Sequence, residues 1–142
     1  MIPVFPEVCD ALVTSLRLVL GADSVFDGPP VQAVGSSGLS IGATRGDDTT
    51  SFSASASDLA GGVSESLTVT CLAWSGSGDV VFKPARYRVG DIVTTTTTRI
   101  AADRTLGGVV DTADVVGGTW MQEQTGEGAL VTCEFRIFVQ QY

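Results

Sequence analysis

Apolar and polar positions alternate most regularly over Glu65–Trp74, where Leu67, Val69, Cys71 and Ala73 share one face and threonines dominate the other. A period of two is that of a half-buried strand. At about 3.3 Å per residue it spans roughly 30 Å, enough for a central position in a sheet. Ser75-Gly-Ser-Gly-Asp79 interrupts the alternation with small polar residues and predicts a turn. From Pro84 the period changes. Ala85, Val89, Ile92, Thr96 and Ile100 recur at steps of three and four, with Arg86, Gly90, Thr94, Thr97 and Arg104 opposite, so a helix is expected as far as Leu106. Gly107-Gly108 supplies the stop. Gly90 and the run Thr94–Thr98 cost that helix roughly 3 kcal/mol relative to alanines, so packing must hold it. The competing reading is a threonine-rich strand from Ile92 to Ile100.

The opening segment also reads as a helix. Val8, Leu12, Leu16 and Val19/Leu20 form its apolar stripe, and Glu7, Asp10, Thr14 and Arg17 its polar one. Pro6 suits the first turn, the two acids suit the positive end of the helix dipole, and Gly21 closes the element. The polar stripe is not basic, which favours core packing over a membrane surface. Val25-Phe26 is a short strand that leaves through the rigid Asp27-Gly-Pro-Pro30. Val31–Val34 and Leu39–Gly42 are further short strands, separated by Gly-Ser-Ser-Gly. Between Ala43 and Gly62 the residues become small and polar. Phe52, Ala54 and Ala56 alternate with serines there, a pattern that makes a strand only if something covers it. Gly46-Asp-Asp48 reads as a turn rather than a metal ligand pair.

A hairpin ends the chain, with Trp120–Thr125 and Ala129–Tyr142 flanking Gly126-Glu-Gly128. In its second strand Val131, Cys133, Phe135, Ile137 and Val139 face one way, and Thr132, Glu134, Arg136 and Gln140 the other. Val109–Val116 adds a short strand between two Gly-Gly pairs. The order predicts one α+β domain over residues 1–142, an antiparallel or mixed β-sheet with two α-helices packed on one face. A chain of 142 residues is long enough for a core without disulfides or metal.

Composition then removes functions. No histidine occurs, which takes away the commonest general base, the usual catalytic triads and most zinc sites. No phosphate-binding loop opens a helix, and Ser75-Gly-Ser-Gly, the nearest anion cradle, lacks a suitably placed lysine. Cys9, Cys71 and Cys133 have no metal-type spacing, and the latter two read as small hydrophobes on strand faces. No enzyme, cofactor or metal is expected. Sixteen acids against eight bases give a net charge of −8, which argues against a nucleic-acid-binding face. Five of the eight bases fall between Lys83 and Arg104, so the second helix is locally basic. Neither a membrane-spanning run nor a signal segment is visible, and a soluble protein kept in cytoplasm is expected.

Four landmarks bear on function: the opening amphipathic helix; Val25-Phe-Asp-Gly-Pro-Pro-Val31; the Glu65–Gly78 strand ending Ala-Trp-Ser-Gly; and Met121-Gln-Glu-Gln-Thr125 before the last strand. In this order they resemble the tail terminator proteins of long, non-contractile-tailed bacteriophages, particularly those infecting actinobacteria. The resemblance implies a virion protein at the head–tail interface, assembled in the host cytoplasm. Such proteins form a ring, usually a homo-hexamer, that caps the tail-tube protein, stops its polymerisation and offers its other face to the head-completion (stopper) protein. DNA would pass through the bore without specific binding, and an acidic chain suits such a bore because like charge does not trap a phosphate backbone. Asp and Glu rather than Arg are expected to line it. On this reading the stretch Thr49, Phe52, Ala54, Ala56 is a candidate inter-subunit contact, covered by a neighbouring copy. Other readings are a tail-tube or head-closure subunit, and a cellular enzyme or ligand-binding domain with a deep polar-lined pocket.

Overall fold

In a computed structural model that describes residues 5–28, 37–42, 52–59, 62–76, 80–126 and 128–141, the chain forms a six-stranded mixed sheet and two α-helices. In chain order these are α1 (Phe5–Leu20), β1 (Val25–Asp27), β2 (Ser37–Ile41), β3 (Phe52–Leu59), β4 (Gly62–Gly76), α2 (Lys83–Ala102), β5 (Thr112–Thr125) and β6 (Gly128–Gln141). The sheet runs β1-β2-β4-β6-β5, and β3 pairs β4 off that path. Among the described residues only β1 and β2 pair in parallel; every other pair is antiparallel. The α+β fold expected from the sequence is the one observed.

β4 is central because it pairs along both borders. β6 runs beside it from Glu65 to Gly76, while β3 takes the first half of its other border and β2 the second. Leu67, Val69, Cys71 and Ala73 are buried, in register with Val139, Ile137, Phe135 and Cys133 of β6. Both helices lie on this face. Val8, Leu12 and Leu16 of α1 join Ala85, Val89, Ile92 and Ile100 of α2 in the core. Val19, expected in the first helix's stripe, is instead 42% exposed, and Leu20 is only partly buried. Beyond Leu16 the apolar residues crowd together faster than the helical turn can bring them to one side.

The threonine run is helical. Thr96 is fully buried, and its Oγ1 donates to the Ile92 carbonyl at 2.8 Å; Thr97 Oγ1 does the same to Val93. Each hydroxyl is thereby satisfied inside its own helix, and the Ile/Val stripe supplies the packing that propensity withholds. The helix stops at Ala102 rather than Leu106. Asp103 is the reason. Its Oδ1 accepts from the Gly107 N–H at 3.2 Å and the Thr105 hydroxyl at 3.4 Å, a local turn that competes with helix. Leu106, in a left-handed conformation (φ 50°), folds back into the core.

Three further expectations are corrected. Ser75 and Gly76, read as turn, continue β4, because Val131 and Leu130 of β6 pair beside them. Ser37 and Gly38, read as a spacer, belong to β2. Val109–Val116 and Trp120–Thr125, read as separate, are parts of one strand: Thr112 to Thr125 pairs β6 across a bulge between Val116 and Gly118, with Gly117 left-handed (φ 63°). The expected segments Val31–Val34 and Gly46–Asp48 lie outside the described residues.

On the face away from the helices, the rings of Phe26 and Trp74 pack at 5.5 Å and 34°. Thr132, placed on this face by the sequence, is nonetheless buried. The Trp74 indole lies over Gly38, its direct partner across β2 and β4. A Cβ on Gly38 would come within 2.6 Å of Cζ2 and 2.7 Å of Cη2. Gly38→Ala is therefore expected to cost about 1–3 kcal/mol by forcing the indole off its seat. Chemical denaturation of a double-mutant cycle with Trp74→Leu checks the cause: the cost should shrink once the ring is gone, and an unchanged cost would refute it.

Candidate functional site

The exposed apolar residues are not scattered. β5 ends the sheet, and its residues from Val116 to Thr125 are exposed on both faces. Trp120, 48% exposed, faces the helix side, where its Cη2 would lie 4.0 Å from a Cβ on Gly90. Beside it Arg86 Nε donates to Gln122 Oε1 at 2.7 Å, and Gln124 Nε2 donates to the Val80 carbonyl at 3.0 Å. These contacts seat the start of α2 on the sheet border. They hold Val80 and Arg86 on β5, and Tyr87 (64% exposed) stands one turn before Gly90 on the same helix, with Lys83 Nζ 5.9 Å from its ring centroid. The result is an aromatic and basic border. No acid occupies the first turn of α2, so positive side chains there add to the positive helix end instead of offsetting it.

At the other end of α2, an open cleft of about 440 Å³ separates it from α1. Glu7, Asp10 and Leu18 line it from α1, Arg99 and Asp103 from α2 and the residue after it, and Leu106 from the turn beyond. Arg99 Nε donates to Ser15 Oγ at 2.8 Å and ties the helices together. Three carboxylates against one guanidinium make the cleft acidic, and Leu18 is 75% exposed at its wall.

Of the contact residues expected from sequence, Phe52, Ala54 and Ala56 fall in β3, where they pair with Val69, Leu67 and Glu65 of β4. No further strand pairs β3 among the described residues. Thr49 lies outside the described residues. The structure does not bring these residues to the β5 border or to the cleft's lining. Sequence reasoning passed over Trp120 and Tyr87, though both carried a signal: an indole within Thr-Trp-Met-Gln-Glu-Gln, and a phenol off the apolar stripe of its helix.

All three thiols are shifted toward the protonated form. Burial pushes Cys71 up to about 12, against the Gly42 backbone hydrogen bond. Burial, with Asp27 and Asp10 nearby, pushes Cys9 up to about 11, and burial also raises Cys133. The reactive thiolate is scarce in all three. Among the described residues no group of three or more Cys, Asp or Glu is placed to hold a metal ion, and no helix is long and apolar enough to cross a membrane. No family model matches the chain, and no curated protein matches it.

Proposed function

We propose that the chain is a ring-forming structural subunit of a phage virion, a tail terminator that caps the finished tail tube and meets the head-completion protein on its other face. The observation that carries the association half of this reading is the β5 border. A long edge strand exposing Trp120 on the helix face and Val116 and Met121 on the other is a surface that solitary proteins normally blunt or cover. The virion half rests on the four sequence landmarks, and two helices over one sheet suit a terminator better than a tube subunit, which usually carries one. Function is then steric. One ring face matches the last tube layer, the other accepts no more tube subunits, and DNA passes through an acidic bore unbound.

Native mass spectrometry of the purified chain tests the ring, with six copies expected. Electron microscopy separates closed rings from the long tubes that a tube subunit would form alone. A chain that stays monomeric at high concentration would overturn the reading.

A further inference from the structure

The basic border and the acidic cleft sit at opposite ends of α2. Its 20 residues span roughly 30 Å, too far for the two to meet within one molecule. Their chemistry is opposite in sign and alike in apolar content. The border offers an exposed phenol and indole flanked by Lys83 and Arg86. The cleft offers an apolar wall at Leu18 and Leu106 flanked by Glu7, Asp10 and Asp103, and is wide enough to admit an aromatic ring.

We propose that the acidic α1–α2 cleft of one copy receives the Tyr87–Trp120 border of the next, joining copies of this chain head to tail. The inference rests on the ring reading above and names the surfaces that make the ring. A contact between two different patches has to repeat, so it closes into a ring or continues as a fibre. Tyr87 and Trp120 are residue types that anchor interfaces when they enter a pocket. The surrounding charges select the partner and orient its approach. Both patches belong to one chain, which is why a second copy is the occupant. A chain at net charge −8 otherwise repels its copies, and the cations on α2 provide the local exception.

Charge reversal tests this. Lys83→Glu with Arg86→Glu makes border and cleft both acidic; Glu7→Lys with Asp10→Lys makes both basic. All four side chains are exposed, so each variant should keep the far-UV spectrum of the wild type, with a melting temperature lowered only modestly by the loss of the Arg86–Gln122 bond or of the acids at the start of α1. Each should raise the concentration needed for assembly at least tenfold in native mass spectrometry. Mixed in equal amounts, the two variants should rebuild a ring, because each border then faces a cleft of opposite sign; isotope labelling of one variant should show alternating copies. Should either reversal perturb α1 or α2, Tyr87→Ser and Leu18→Ser probe the same contact without changing charge and should loosen assembly likewise. Wild-type rings that survive both reversals, or reversed variants that stay apart when mixed, overturn the proposed contact and leave the ring reading standing. A wild-type chain that is monomeric removes both.

Discussion

Phe135→Asp is expected to leave no folded protein. Phe135 is 1% exposed at the middle of β6, in register with Cys71 on one side and Gly118 on the other. Truncating a buried phenylalanine alone costs about 3–5 kcal/mol, and a carboxylate with no cation beside it adds the price of desolvation. The sum approaches or exceeds the whole stability of an ordinary domain, about 5–15 kcal/mol. Leu67→Asp should fail in the same way, since Leu67 is 2% exposed against Val139. The control is one residue away. Arg136 is exposed on the other face, and Arg136→Asp should stay within about 0.5 kcal/mol of the wild type. Soluble expression with circular-dichroism melting reads all three. Cooperative melting of both core variants near the wild-type temperature would refute the assigned faces.

Stability should also drain away in alkali, through Cys71. Its thiol is fully buried and held at about 12, against 9.0 when free. Below pH 9 folded and unfolded chains both keep the proton, so the thiol contributes no pH dependence. Above pH 9 the unfolded chain gives up its proton while the folded chain holds it, which favours unfolding. Cys71 therefore contributes a fall of about 1.4 kcal/mol per pH unit through this range, to which the raised thiols of Cys9 and Cys133 add. Urea midpoints measured between pH 8 and 11 should fall more steeply for the wild type than for Cys71→Ala. The variant begins lower, having lost packing, but lacks that proton. Parallel slopes would show that Cys71 is not the group responsible.

The parts of the fold that were legible are those where periodicity and burial agree. Val8, Leu12 and Leu16 repeat at helical spacing, and Leu67 through Ala73 and Val131 through Val139 alternate; all of these meet in one core. Even through the threonine run, the steps of three and four from Ala85 and Val89 to Ile92, Thr96 and Ile100 mark the buried face of α2. What was not legible depends on a neighbour. Ser75-Gly76 and Gly117-Gly118 read as breaks because small residues lack a pattern of their own, yet β6 pairs beside both. The parallel pairing of β1 with β2 has no local signature. The association surface was hidden for a related reason. Lys83, Arg86 and Tyr87 stand more than 30 positions before Trp120 and Gln122, and only the packing of α2 on β5 makes them one border.

The extra residue at Gly117 works as a parity bit. Ahead of it Val115 pairs with Ile137, and after it Trp120 pairs with Cys133, so odd positions on the near side become even ones. Were Gly117 to take a regular ladder place opposite Phe135 instead of bulging, Trp120 would fall opposite Thr132 and turn, with Gln122 and Gln124, to the sheet's far side. Their partners Arg86 and Val80 would be left behind with every other residue unchanged. Which half of the chain's surface is sticky is thus stored in a count of one, at a residue that has no side chain.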